Sequence, residues 1–293
     1  MKNKLFFIFL SFQAISWGAA CCGGGGPKSF LSLQELQNFD LAVLSSFQES
    51  YGWYNSSGEA FSKKGPVDYT IQISSVGRLA PNWEAFARVP MVYRVTDYGS
   101  TRQARSSLGD VSLGLRWTFL RSLFVEDPFP TVSLVMGGKI PSGLTEINDQ
   151  GRMKPGTGNG LWEPLIGLSF RKDYYGWLGN IDFTFVTPYG NLKGRSVREN
   201  QINLTESLSY AFNRQFNLGG GSTQSWTFDK EINGQDLSDA AGRSLSVFTA
   251  ANYFLTQFTS VGAAFEWIVP ADGFGVNQPI NRTLSFNVRY GFY

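Results

Sequence analysis

From about residue 39 to its C terminus, the chain alternates apolar and polar side chains with a period of two residues. In the segment 110–119, the odd-numbered residues from Val111 to Phe119 are apolar, and the even-numbered ones are polar or glycine. The last segment does the same, since the even-numbered residues from Leu284 to Phe292 are apolar. Successive side chains of a β-strand point to opposite faces, so this pattern predicts strands with one apolar and one polar face.

About twelve such segments are present, each near the length that a tilted strand needs to cross a bilayer. They fall at 39–54, 67–80, 83–95, 108–120, 129–140, 161–171, 177–188, 199–212, 216–227, 244–254, 259–269 and 282–293. Short connections alternate with long polar ones, as in outer-membrane barrels with short periplasmic turns and long outer loops. We therefore expect an all-β fold, an antiparallel transmembrane β-barrel over residues 39–293, with about 12 strands and with 10 or 14 as alternatives.

A soluble β-sandwich or a soluble barrel also alternates, so composition has to separate these folds from a membrane barrel. Charged residues make up only 16% of the chain, and aromatic residues make up 15%. Aromatic side chains such as Trp83, Trp117 and Trp177 lie near the ends of the expected strands, where interfacial girdles require them. The polar face carries charges that a soluble core would not tolerate. These features favour the membrane barrel.

The N-terminal residues 1–20 predict a signal peptide. Lys2 and Lys4 form a basic start, a mostly apolar run follows, and small residues end the segment. The apolar run is too short to span a bilayer as a helix. Export through this signal predicts a location in the bacterial outer membrane. Because both lysines leave with the signal, the mature chain is close to neutral.

Residues 21–38 form a Gly-rich segment between the signal and the first strand. Cys21 occupies a position where bacterial lipoproteins are acylated, but Gly18 stands where they usually carry Leu, so an unmodified Cys21 is favoured over a lipidated one. The glycines make the segment flexible. It is expected to be either a tether in the periplasm or a plug that enters the barrel.

If the apolar face contacts lipid, the opposite face lines the lumen, and both charge signs occur there. The candidate lumen-lining residues are Arg78, Glu84, Arg88, Arg94, Arg116, Lys139, Asp182, Glu266 and Arg289, with Asp68 and Asn203 among others on the same face. A twelve-stranded barrel is narrower than a porin, so paired charges are expected to block part of its lumen. Two interpretations stay open: a conducting lumen with selective charge rings, or a closed lumen filled by salt bridges.

Three residues disturb the strand pattern. Glu206 falls on an apolar face between Leu204 and Leu208, which predicts a position near a membrane interface or a bulge, since a charge at mid-depth is costly. Pro90 and Pro164 cannot donate a ladder hydrogen bond. Kinks at these prolines are where a third interpretation, a transporter of apolar ligands with a lateral opening, would place that opening.

Several kinds of chemistry are missing from the sequence. The chain contains no His, so hydrolysis by a Ser–His or Asp–His arrangement and Cys/His metal sites are excluded. The glycine-rich run at 156–160 lacks the Lys and the following helix of a phosphate loop, and we interpret it as a plain loop. A near-neutral chain gives no support for nucleic-acid binding. We expect no enzymatic activity, no cofactor and no nucleic-acid partner.

Two stretches resemble a known family. Gly109-Asp110-Val111-Ser112-Leu113-Gly114-Leu115 opens a strand, and the stretch from Val132 to Ile140 leads into the turn Pro141-Ser142-Gly143. This pair resembles the outer-membrane proteins named after the meta-pathway of phenol degradation. The resemblance implies a barrel that passes small, often apolar compounds, and it supplies no catalytic residues.

Together these features predict a passive outer-membrane channel or transporter for small molecules, with apolar or aromatic compounds as one class of solute. The alternative is a structural or surface-interaction barrel whose outer loops, 141–160 and 228–243 especially, bind a partner. Outer-membrane lipids are the expected surroundings. The alternating set that ends at Phe292 resembles the C-terminal signal read by the barrel-assembly machinery, with Tyr293 as one extra residue.

Overall fold

A computed structural model describes residues 33, 37–98, 101–122, 126–145, 147–149, 152–192, 195–232, 235–237, 241–270 and 274–292. The expected signal peptide 1–20 and both cysteines lie outside these residues. Within the described part of the chain, no helix is long and apolar enough to cross a membrane.

The described chain is a closed antiparallel β-barrel. Its wall consists of β1 (Phe39–Tyr54), β2 (Val67–Ala80), β3 (Trp83–Tyr98), β4 (Val111–Leu120), β5 (Thr131–Ile140), β6 (Glu163–Tyr174), β7 (Trp177–Val186), β8 (Arg195–Ala211), β9 (Phe216–Ile232), β10 (Gly242–Phe254), β11 (Thr259–Ile268) and β12 (Pro279–Phe292). Each strand pairs with its neighbours in sequence. β1 also pairs with β12, from Phe39 opposite Phe292 to Trp53 opposite Pro279, which closes the ring. The expected twelve-stranded barrel is confirmed.

Short strands extend this wall at the end that carries the long connections. They are Ala60–Ser62, Thr101–Leu108, Tyr189–Leu192, Gln235–Leu237 and Gly275–Val276, and a separate hairpin joins Ile147–Asp149 to Arg152–Lys154. The short turns, such as 175–176 between β6 and β7, lie at the opposite end. By the turn-length asymmetry of outer-membrane barrels, the short-turn end is periplasmic.

The expected strand ends were partly wrong at the end of the barrel with the long connections. The expected segment 83–95 continues to Tyr98, Thr101–Leu108 pairs back on it, and β9 continues to Ile232 in the expected loop 228–243. These extensions project beyond the apolar band of the barrel. Because neither face contacts hydrocarbon there, the sequence has no reason to alternate, and its periodicity cannot reveal the strand.

The outer face of the wall is apolar and exposed, as a lipid-facing surface must be. Exposed side chains on it include Leu41, Val43, Tyr69, Ile71, Ile73, Leu113, Ile166, Ile181, Phe183, Leu284, Phe286 and Val288. Aromatic pairs mark the periplasmic edge of this band. The Trp83 and Trp117 rings stack with their centroids 5.9 Å apart, and the Trp177 and Tyr210 centroids are 4.7 Å apart. These pairs form the girdle expected at the membrane interface.

Candidate functional site in the barrel lumen

All nine candidate lumen residues lie on the face opposite the exposed apolar side chains, so the structure places them inside the barrel. They are not spread evenly along a wide pore. Arg116, Asp182 and Arg289 are only 6%, 2% and 8% exposed. Inward side chains in a broad water-filled channel would be exposed to solvent, whereas these three are buried. The lumen is therefore narrow at their level.

Four of the candidate cations pair with a carboxylate on the neighbouring strand. The Arg94 guanidinium donates two hydrogen bonds to Asp68, at 2.7 and 2.6 Å. The other pairs are Arg116 with Glu84 at 3.7 Å, Lys139 with Glu163 at 2.5 Å, and Arg289 with Asp40. Each pair joins two adjacent strands, so the charges cross-link the wall and neutralise one another. The lumen contains no uncompensated ring of one sign among these pairs.

Two of these carboxylates were missed by the sequence interpretation. Asp40 is 1% exposed and Glu163 is 8% exposed, and both point into the lumen. The alternation of polar and apolar residues could have identified both carboxylates as inward-facing. Asp40 alternates with the apolar Phe39 and Leu41, and Glu163 precedes the outward-facing Pro164. Both stand at strand ends, where a position out of the apolar register is easily taken for a loop.

A second group of charges surrounds Arg88. Arg116 and Asp182 are its electrostatic neighbours. The Asp182 carboxylate accepts a hydrogen bond from the Asn180 amide at 2.8 Å and another from the Ser169 hydroxyl. Two cations and one carboxylate thus interact inside the barrel, and the buried Oδ1 atom of the carboxylate accepts no hydrogen bond from the described residues. This cluster narrows the lumen rather than lining a wide passage.

Neutral polar side chains fill the wall on the other side of the barrel. The Asn203 amide donates to Thr184 at 3.2 Å, and the Asn252 amide donates to Asn217 at 3.2 Å. Asn217 is only 1% exposed. Such cross-strand bonds pair some of the buried polar atoms within the wall itself. Glu266 adds a charge on this side, where its carboxylate accepts a hydrogen bond from the Ser246 hydroxyl at 2.7 Å.

A contrasting apolar cluster lies inside the barrel on β2, β3 and β5. Val76, Phe86 and Val135 point inward there, with exposures of 1%, 8% and 0%, and Leu165 packs against them. Leu33, from the segment before β1, is 6% exposed and belongs to the same cluster. A side chain of the N-terminal segment therefore lies within the lumen. The cluster gives the lumen an apolar side that the sequence interpretation missed.

The hydrogen-bond ladder between β3 and the β4 side is interrupted opposite Pro90, in the outer half of the barrel. The Gly109 N–H donates to the Pro90 carbonyl at 2.8 Å, and the ladder then resumes between Arg88 and Ser112. Three residues on the β4 side thus face two on β3, which is a β-bulge. Beyond the bulge, Thr101–Leu108 pairs with β3 and has no described ladder partner on its other edge.

The loop between β5 and β6 covers this interruption, and Asp110 holds it. The two carboxylate oxygens of Asp110 accept hydrogen bonds from the Gly143 N–H at 3.0 Å and the Asn159 N–H at 2.9 Å. A Cβ at Gly143 would lie 2.7 Å from the Gly158 Cα, so only glycine lets the two loop segments approach. The Ser142 hydroxyl donates to the Gly109 carbonyl at 2.8 Å. The Gly109-Asp110 and Pro141-Ser142-Gly143 motifs are therefore hydrogen-bonded to each other. We call these contacts, with the Asp110–Asn159 bond, the latch of Asp110.

Comparisons with known proteins agree with this barrel. No curated protein matches the sequence. The solved COG4313 outer membrane channel from Pseudomonas putida F1 is 13% identical, with a TM-score of 0.72, and the match covers 91% of this chain and 98% of that chain. The NanC porin is 13% identical, with a TM-score of 0.50 over 86% of this chain and 100% of that one. At such identities these likenesses concern the fold alone.

The family models settle the relationship. The model described as "Putative MetA-pathway of phenol degradation" matches residues 65–278, which is most of the chain. This match contains both halves of the Asp110 latch, and it extends well beyond the two stretches in which the resemblance is visible by eye. The chain is an outer-membrane β-barrel that belongs to the family of the MetA pathway of phenol degradation.

Proposed function

We propose that the chain is a passive channel of the bacterial outer membrane for small, mostly apolar molecules. The apolar cluster inside the lumen is the observation that carries this proposal. A barrel for ions or sugars needs a continuous polar lining, whereas Val76, Phe86 and Val135 offer a dry surface to an apolar solute. The Pseudomonas putida barrel is named an outer membrane channel, which supports transport for this chain too.

Residues 21–38 act as a plug in this proposal. Leu33 occupies part of the apolar cluster, so a solute that binds there has to displace it. The plug and the solute then compete for one surface, which restricts leakage when no solute is present. Export through the signal peptide 1–20, an unlipidated Cys21, and insertion by the assembly machinery through β12 belong to the same proposal.

We place the access route for apolar solutes at the bulge opposite Pro90. The ladder between β3 and the β4 side is interrupted there, Thr101–Leu108 has no described ladder partner on its other edge, and the latch of Asp110 closes the gap from outside. This site lies above the apolar cluster on the same side of the barrel. A solute that passes between the lumen and the lipid would have the shortest path through this part of the wall.

The direct test is uptake of an apolar fluorescent dye by intact Gram-negative cells, whose lipopolysaccharide excludes such dyes. Cells with the folded barrel should take up the dye faster than cells without it. Planar-bilayer recording of the refolded mature protein tests ion passage in parallel, and we expect only small conductance. A folded barrel that neither speeds dye uptake nor conducts would exclude transport.

A closed structural barrel is the second candidate function. It is favoured by the burial of the lumenal charges, since Asp182 and Arg116 are 2% and 6% exposed. In that case the outer loops would bind a partner, and both transport assays would give no signal. Removal of residues 233–241 from the loop between β9 and β10 would then abolish partner binding, whereas a channel would keep its dye uptake. Catalysis is not part of either proposal.

A further inference from the structure

The lipid-facing surface of β7, β8 and β9 contains a polar patch in the middle of the apolar band. Glu206 is exposed on this surface, and Ser222 is its cross-strand neighbour on β9. Gln224 points the same way two residues further along β9. Gly179 and Gly220 are the two cross-strand partners of Leu208, the next residue of β8 on the lipid face, so the wall carries no side chains on either side of Leu208. We name Glu206, Ser222, Gln224, Gly179 and Gly220 the Glu206 patch.

The carboxylate lies well inside the hydrocarbon. Glu206 is four residues from Tyr210, whose ring packs on Trp177 in the periplasmic girdle, and four residues from Ile202, which pairs with Trp226. Four residues of a tilted strand correspond to about 10 Å of depth. The ladder is regular at Glu206, where the cross-strand partners are Ile181 and Ser222, so the bulge predicted from the sequence was wrong. The separation of Glu206 from the aromatic residues at both ends of β8 argues for a mid-depth position instead of an interface position.

The surroundings of the carboxylate form a groove. Its volume is about 660 Å³, with Gly179 and Gly220 in its floor and Phe170 and Leu208 at its sides. Within the described residues, the Glu206, Ser222 and Gln224 side chains make no hydrogen bond or ion pair. A lipid chain could fill the groove, but it offers no donor to a carboxylate. Lipid alone therefore does not satisfy this surface.

We propose that a second copy of this chain packs on the Glu206 patch in the membrane. A two-fold interface places the same patch against itself, so each group meets the other groups of the patch. Glu206 supplies an acceptor, and Ser222 and Gln224 supply donors, which makes the patch self-complementary. The glycines allow close approach of the two walls, as small residues do at membrane interfaces. Lys172 also lines the groove, but its ammonium group donates to the Ser122 hydroxyl and the Asp127 carbonyl, so we expect hydrogen bonds rather than ion pairs to hold the two copies together.

A substitution that fills the groove tests the interface without disturbing the fold. The space beside Gly179 is open, since a Cβ there would lie 4.0 Å from its nearest neighbours, the Leu208 Cδ1 atom and the Lys172 carbonyl oxygen. Gly179→Trp should therefore fold and block the second copy. Ser45→Trp is the matched control, because Ser45 is exposed on the lipid face of β1, across the barrel. Glu206→Leu removes the acceptor itself.

Sedimentation equilibrium of the refolded mature protein in a density-matched detergent measures the association. The parent chain and Ser45→Trp should be dimers, and Gly179→Trp and Glu206→Leu should each weaken the dimer by about tenfold or more. A parent chain that stays monomeric at every concentration overturns the proposal. So does a dimer that survives either Gly179→Trp or Glu206→Leu unchanged.

Cross-linking in native outer membranes tests whether the partner is a second copy of this chain. In a Cys21→Ser/Cys22→Ser background, Ser222→Cys should link two copies through a short bismaleimide, and Ser45→Cys should not. Cross-links to a different membrane protein would identify a heterologous partner and overturn the assignment to a second copy. The dimer does not depend on whether the lumen conducts, because the transport assays and the association assays measure separate surfaces.

Discussion

Two ion pairs between β1 and β12 show how much burial matters for a single residue. Asp40 and Arg289 pair in the lumen, where their side chains are 1% and 9% exposed. Glu49 and Arg282 pair on the same two strands at 2.6 Å, but with 32% and 55% exposure. An ion in water loses little when its partner is removed, whereas a buried ion loses its only compensation. The two pairs therefore serve as a matched comparison within one seam.

Arg289→Leu should lower the free energy of unfolding by about 3–5 kcal/mol, because Asp40 stays buried without its partner. Arg282→Leu should change it by less than about 1 kcal/mol, since water replaces the lost partner. Urea unfolding of the refolded barrel, followed by tryptophan fluorescence, measures both. In the double variant Asp40→Asn/Arg289→Leu much of the loss should return. Equal losses for Arg289→Leu and Arg282→Leu would show that burial does not set the strength of these pairs.

At the scale of elements, the alternation in sequence was sufficient to place the membrane-crossing strands but not their extensions. The expected segments 39–54 and 216–227 begin at the observed starts of β1 and β9, because hydrocarbon on one side imposes a period of two. Thr101–Leu108 contains Arg102, Arg105 and two serines, and it lies where both faces can be polar. Its strand depends on pairing with β3, which is a contact that no local pattern records.

The latch of Asp110 is an element that the sequence marked only as a family motif. Asp110→Ala removes the acceptor of two backbone N–H groups, and each loss is worth about 1–3 kcal/mol of local stability. The amides of Gly143 and Asn159 should then exchange with solvent faster by about one to two orders of magnitude. Hydrogen exchange followed by mass spectrometry measures this. Asp110→Asn keeps one acceptor oxygen and should give an intermediate rate.

Unfolding of the whole barrel should change little in Asp110→Ala, because the latch lies outside the ladder between β4 and β5. Unchanged exchange at Gly143 and Asn159 would mean that other contacts hold the loop. If the access route is correct, the same variant should also speed dye uptake by intact cells. Uptake that stays at the parent rate, with exchange accelerated, would place the route elsewhere in the wall.

At the scale of the whole molecule, the lumen combines features that sequence could and could not foretell. The polar face of each strand was visible, so the inward charges could be named. The apolar cluster was not, because Val76 and Val135 interrupt that polar face one at a time on separate strands. Only closure of the barrel brings them together. The position of Leu33 has the same cause, since a segment without periodicity gives no sign of where it packs.

Leu33→Asp tests whether the N-terminal segment occupies the lumen. A carboxylate in the apolar cluster would be buried without a partner, so the segment should leave and single-channel conductance should rise. The control is Asn38→Asp, which introduces the same charge at an exposed position next to β1. Planar-bilayer recording compares the two with the parent chain. A Leu33→Asp barrel with the parent's conductance would exclude a plug that limits the passage of ions.

Assembly of the barrel depends on the seam between its first and last strands. The Phe292 ring packs on Phe39 across this seam, with centroids 5.5 Å apart, and it ends the alternating set of β12. Phe286 lies on the same lipid-facing side of β12, without the terminal position, and is 56% exposed against 45% for Phe292. If the assembly machinery recognises the end of the strand, alanine substitutions of the two residues should have different effects on folding in cells, although both residues contact lipid.

Phe292→Ala should lower the amount of folded barrel in the outer membrane severalfold, whereas Phe286→Ala should not. Resistance to unfolding in sodium dodecyl sulfate without heating measures the folded fraction. Both variants should refold in detergent with similar yield, because spontaneous folding needs no recognition of the terminus. A Phe292→Ala defect that appears equally in detergent would assign the effect to the lost Phe39 contact. An equal loss for both variants in cells would point to general lipid-facing packing, since only recognition of the chain end separates Phe292 from Phe286.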